Sequence, residues 1–242
     1  MPVNDYQLGR LESKDLTHLQ TYALNLPASV ANVESSLPLP AWHNSWDQGR
    51  QGACVGYGSS MLMSIRNNIA ANSVAEGDHR YHPEWLWTQA KAVDGFVHTD
   101  PNDGTTVHAA AQILNKKGHV KVSNGKDLPV SLHEGIAAYR WANTIDDIRG
   151  AIALQLPMSI GINWYSNFDN PVSVGAEKWI GKGSLGTIRG GQCVCLYGAS
   201  DKRQAVAIKN SWGASYPLVW MPYSTVSRLL KENGEFVVIT DR

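Results

Sequence analysis

Charge of either sign is scarce: only 17% of the 242 residues are Asp, Glu, Lys or Arg, and 21 cations meet 21 carboxylates. No net field exists to gather nucleic acid or an anionic membrane, so neither is an expected partner. Cysteine is scarcer, with three residues, Cys54, Cys193 and Cys195. So small and odd a number excludes the disulfide framework of a small secreted scaffold and points to a reducing compartment. Cys193 and Cys195 lie two apart in CVCLYG, on one face of a strand. No histidine follows His133 to complete a metal site, so the pair reads as small buried hydrophobes, and neither metal nor cofactor is expected. No apolar run approaches the roughly 18 residues of a spanning helix. The opening MPVNDYQLGRLESKD lacks the apolar stretch of a secretory signal, which predicts a soluble, cytoplasmic protein. Internal repeats and low-complexity tracts are missing as well.

What is present is ordinary globular material, 43% hydrophobic, in a chain long enough for a substantial core. Residues 1–45 are rich in turn formers, and LPASV and SSLPLPAWH predict an extended arm wrapping the domain. From 46 to 242 one domain is expected, mainly helical over 46–150 and mainly strand over 151–242. Val55, Met61, Leu62, Ile65 and Ile69 recur at helical spacing and predict a long helix from about Cys54 to Ala71. Gly56 and Gly58 weaken its first turns, so packing there must be tight. Further helices are predicted over PEWLWTQAKAV, over TTVHAAAQILNKKG closed by Gly118, over IDDIRGAIALQ capped by Thr144, and over STVSRLLKENG. PMSIGINWY, GGQCVCLYGAS, QAVAIKNSW and GEFVVITD read as strands. Helices first and strands afterwards predict an α+β protein of two lobes, with its site in the cleft between them.

Cys54 opens the best-predicted helix, where unpaired N–H groups and the positive end of the macrodipole favour a thiolate. Gln48, six residues earlier, can fold back so that its amide and the Cys54 N–H aim two donors at a developing oxyanion.

DQGRQGAC and KNSWG, with DPNDGTTVHAAAQIL, DIRGAIALQLPMSIGINWY and GGQCVCLYG between them in order, resemble the papain-like cysteine peptidases in their small prokaryotic and phage-type forms. The resemblance spans most of the chain, from about Leu26 to Asp241. It implies a papain-like fold with a helical N-terminal lobe and an antiparallel, barrel-like C-terminal lobe. Carried over by position, Cys54 is similar to the nucleophile, Gln48 to the oxyanion donor, Asn210 to the residue that orients the base, and Trp212 to the ring that shields that Asn. Gly104 and Thr105 correspond to the segment that pairs with substrate backbone.

Where the family places its catalytic histidine, in Gly-Gly-His-Ala-Val, this chain has Gly190-Gly191-Gln192-Cys193-Val194. A carboxamide does not titrate near neutral pH and cannot relay a proton. The resemblance with this substitution therefore implies an impaired or inactive peptidase serving as a binding or structural module. A peptide or protein would be its partner in the cleft, and a phage particle one setting for it, which would make the chain virion-associated. The alternative is an active thiol peptidase, hydrolase or transferase with a base other than His. Of His43, His79, His82, His98, His108, His119 and His133, none falls on the strand lobe, and His108 is the nearest substitute. The N-terminal arm is much shorter than a dedicated inhibitory propeptide with its linker, which argues against zymogen control.

Overall fold

The computed structural model describes residues 5–26, 30–72, 80–123, 126–127 and 133–240. His79 lies outside them.

Four helices follow the predicted pattern within a residue or two, after a short α1 (Thr17–Thr21). The long α2 (Cys54–Ala70) buries Val55, Leu62 and Ile65 completely. Its early glycines are required by space: a Cβ at Gly56 would lie 2.2 Å from the Pro83 carbonyl oxygen, and one at Gly58 would lie 2.9 Å from Cys193 Sγ. The helix thus gives up local propensity to lie close against its neighbours. Pro83 starts α3 (Pro83–Lys91), where its missing N–H costs nothing. The Thr106 side chain caps α4 (Val107–Lys116). Thr144 and Asp147 form a capping box on α5 (Ile145–Ala153), and α6 (Tyr223–Lys231) follows near the C-terminus.

The strands are β1 (Glu34–Ser36), β2 (Val122–Ser123), β3 (Lys126–Asp127), β4 (Ala138–Trp141), β5 (Met158–Tyr165), β6 (Val172–Val174), β7 (Glu177–Trp179), β8 (Ile188–Ser200), β9 (Ala205–Lys209), β10 (Val219–Pro222) and β11 (Glu235–Thr240). Nine of them form one open sheet in the order β4-β11-β5-β8-β9-β10-β7-β6, with β1 added along the end of β8. All pairings in it are antiparallel except β10 with β7. The sheet is therefore open, with edges at β4 and β6, rather than closed into a barrel. α2 packs on β8 and β5, which sets the start of that helix against residues 191–193. The result is the α+β, two-lobed architecture expected from the order of helices and strands. Cys193 and Cys195 are free and fully buried.

The first 45 residues are only partly an extended arm. The Asp15 carboxylate accepts from the Thr17 N–H at 2.8 Å, and this Asx-type turn starts α1. Glu34, Ser35 and Ser36 join the sheet opposite Ser200, Ala199 and Gly198. Residues 6–11 run through the cleft.

Candidate active site

Cys54 sits at the first turn of α2, on the strand lobe's side, and is fully buried. The Cys193 N–H donates to its sulfur at 3.3 Å. The backbone amides of Gly9 and Val55 also act on the sulfur, with Arg10 the nearby charge, and none of these groups is an imidazole. A helix start favours a thiolate, yet burial outweighs the helix and the amides, and the thiol is pushed up to about 11. The activation expected from position alone is thus reversed by loss of solvent.

Four polar side chains form the opposite wall. Gln192 Nε2 donates to Gln48 Oε1 at 3.1 Å and to Asn210 Oδ1 at 2.9 Å. Ser211 Oγ donates to the same Gln48 oxygen at 2.6 Å, and the Ser211 N–H donates to Asn210 Oδ1 at 2.8 Å. The amide orientation of Gln192 is fixed by these contacts, because a flipped amide would set oxygen against two oxygens. Among the described residues, Gln192 Oε1 and Asn210 Nδ2 are buried without hydrogen-bond partners. Trp212, beyond Asn210, is fully buried in a cluster with Trp164, Tyr216 and the arm's Tyr6, whose ring stacks on it at 5.0 Å.

The cleft between these walls is filled by the chain's own residues 6–11. Both Gln48 amide protons are already used: Nε2 donates to the carbonyls of Gln7 at 2.8 Å and Gln51 at 2.9 Å. Thr105 N–H donates to the Gly9 carbonyl at 3.0 Å, Leu11 N–H to the Thr105 carbonyl at 2.8 Å, and Arg10 N–H to the Gly191 carbonyl at 2.9 Å. Glycine makes this approach possible. A Cβ at Gly9 would lie 2.0 Å from the Gly52 carbonyl oxygen, one at Gly104 would lie 1.8 Å from the Gly9 oxygen, and one at Gly191 would lie 2.1 Å from the Arg10 oxygen. The shortness of the N-terminal stretch therefore does not keep it from the groove, since a segment of half a dozen residues already spans it.

Arg10 turns its side chain down between β5, β8 and β11. Its Nη2 meets Glu235 Oε2 at 2.9 Å and the Asn233 carbonyl at 2.9 Å. Ser13 Oγ donates to Glu235 Oε1 at 2.6 Å. Burial pushes the Glu235 carboxyl up, but His18, Arg10 and Ser13 together hold it below its ordinary value.

The structure brings Cys54, Gln48, Gln192 and Asn210 together, sets Trp212 behind them, and lays Gly104 and Thr105 along the occupied groove. His108 stands apart, on α4 against Tyr139 and His18. Tyr6, Arg10, His18 and Glu235 were missed by sequence reasoning. An arginine directly after a glycine, Gly9-Arg10, was the one available signal.

No protein-family model matches the chain, and no curated protein matches it in sequence. Its fold is similar to xylellain, a cysteine protease from Xylella fastidiosa (TM-score 0.71, 18% identity, 98% of this chain and 97% of that one). It is also similar to procathepsin B S9 from Trypanosoma congolense (TM-score 0.63, 12% identity, 100% and 88%). A third likeness is to digestive procathepsin L 3 of the Tenebrio molitor larval midgut (TM-score 0.59, 13% identity, 99% and 77%). What these likenesses establish is the architecture: the chain carries the papain-like fold of these cysteine proteases.

Proposed function

We infer that this protein is a catalytically impaired papain-like peptidase homologue, serving as a peptide- or protein-binding or structural module. The observation that carries the reading is Gln192, whose amide nitrogen is committed to Gln48 and Asn210. Peptide hydrolysis by a thiol needs a group that takes the thiol proton and returns it to the leaving amine. A carboxamide does neither, and among the groups acting on the sulfur no charged ring stabilises the thiolate. With the thiol at about 11, the thiolate fraction at pH 7 is about one in 10⁴. Loss of the base alone lowers hydrolysis by roughly 10²–10⁴.

A cleft ligand has to displace residues 6–11, so an extended peptide competes with the arm for Thr105 and Gly191. A role within an assembly such as a phage particle fits a module of this kind and rests on the resemblance to phage-type forms. Detection of the chain in purified particles by mass spectrometry tests it.

The second reading, slow thiol chemistry without histidine, draws on Gln192 Oε1, a buried acceptor with no partner among the described residues. Peptidase assays on wild type, Cys54→Ala, and a Gln192→His/Gly9→Val pair that restores an imidazole while opening the groove separate the two. The impaired reading expects Cys54-dependent cleavage in the pair only. Cys54-dependent cleavage by wild type at ordinary enzyme rates overturns it.

A further inference from the structure

Asn68 lies fourteen residues along α2 from Cys54, roughly 21 Å at 1.5 Å per residue, and so stands at the far end of that helix from the cleft. It lines a surface cavity of about 360 Å³, shared with Ser35 and Ser36 of β1, Ile69 and Asn72 at the end of α2, and Gln155 just after α5. Asn68 is 1% exposed, yet neither its Nδ2 nor its Oδ1 has a hydrogen-bond partner among the described residues. The amides of Gln192 and Asn210 each keep one end bonded, whereas Asn68 keeps neither. Buried polar groups are nearly always partnered, so a donor and an acceptor orphaned on one side chain beside a cavity mark a place that a ligand completes.

A strand edge runs past the same cavity. β1 pairs with β8 on one side only. The Leu37 N–H donates to the Tyr197 carbonyl, so by the alternation of an antiparallel ladder Ser36 turns its own N–H and C=O away from β8.

We propose that this cavity is a second peptide site, which takes an extended segment of another polypeptide along Ser36 of β1 and reads an Asn or Gln side chain on it through Asn68. The wall selects that side chain. A carboxamide donates to Asn68 Oδ1 and accepts from Nδ2 at once. A carboxylate sets the Asn68 oxygen against another acceptor, and an ammonium or guanidinium sets the nitrogen against another donor. α2 and α5 both end at this cavity, with Asn72 and Gln155 in the left-handed region just beyond them (φ 49° and 60°), and the negative ends of two helices disfavour a carboxylate further. No charged side chain lines the cavity among the described residues, so an ion brought in loses its hydration without meeting a counter-charge. Main-chain bonds to the edge of β1 supply affinity that is blind to sequence, and the seated side chain supplies the selectivity.

Titration of the intact, isotope-labelled chain with N-acetyl-Val-Gln-Val-amide near neutral pH, followed by NMR, tests this. Saturable shifts should appear at the Asn68 side-chain amide and the Ser36 N–H, and not at Gln48 or Thr105 of the cleft. The Glu and Lys versions of the peptide should bind about ten-fold more weakly or worse. Asn68→Leu removes both orphaned groups at nearly constant volume, so it should lose about ten-fold in affinity while its thermal midpoint holds or rises. Should that variant misfold, Asn72→Lys decides: the position is exposed, the new cation stands at the rim, and preference should move several-fold from the Gln peptide toward the Glu peptide. Shifts confined to the cleft, equal binding of the Gln and Glu peptides, an unmoved affinity in Asn68→Leu, or an unmoved preference in Asn72→Lys where that variant decides, overturns the site. Binding is read without turnover, so the outcome is separate from whether the chain hydrolyses peptides.

Discussion

Arg10 and Glu235 form an ion pair across 225 positions of sequence, with side chains only 2% and 0% exposed. A pair this deeply buried costs much in desolvation, so its contribution is felt chiefly when one partner is removed.

Arg10→Ala should accordingly destabilise by about 3–5 kcal/mol, because Glu235 keeps its charge without its cation. In a chain of this size that corresponds to a drop of roughly 10 °C in midpoint. An Arg10→Met/Glu235→Leu pair should recover most of the loss. Thermal unfolding of both variants checks this; equal losses in the single and double variants would show that the charges do not act as a pair.

Gly9→Val should expel the arm. The added Cβ meets backbone, not a flexible side chain, 2.0 Å away, so the segment moves or the groove deforms. Residues 5–13 should become the preferred site of limited proteolysis, and alkylation of Cys54 at fixed pH should accelerate at least ten-fold while Cys193 and Cys195 stay slow. Unchanged labelling of Cys54 would mean that burial by the arm does not govern its reactivity.

Lys209 should penalise the fold near neutrality. It is 2% exposed, its Nζ finds only the Gly213 carbonyl at 3.5 Å among the described residues, and burial depresses it to about 8. The unfolded chain, at the ordinary value of about 10.4, binds the proton more tightly, so the penalty is complete below about pH 8 and fades as pH rises to about 10.4. Lys209→Met should gain about 2 kcal/mol near pH 7, with the difference from wild type shrinking toward about pH 10. Denaturant titrations at the two pH values measure it; a gain independent of pH would point to packing instead.

The regular elements were legible because their signals are local. Val55, Leu62 and Ile65 announce α2 by spacing, Thr144 and Asp147 announce the start of α5, and the alternation in PMSIGINWY announces β5. The neighbourhood of Cys54, Gln48, Gln192 and Asn210 was legible through the resemblance, since their meeting depends on pairs up to 144 positions apart. The arm's course was not, because no periodicity tells an extended segment which surface it will cover. Glu235 reads in sequence as any acid at the mouth of a strand, and only the fold reveals that its carboxylate faces inward. The expected ease of forming a thiolate at Cys54 failed for the same reason: the helix end is visible in the sequence, whereas the lid over it is not.

The seam where Gly9 rests on Gly52, Gly104 on Gly9, and Gly191 on Arg10 is main chain against main chain. Such a slot measures thickness before it reads identity. Any competitor for it, natural or synthetic, must be thinnest where it passes over the sulfur, and a ligand library biased toward bulky residues at that position would miss the groove altogether.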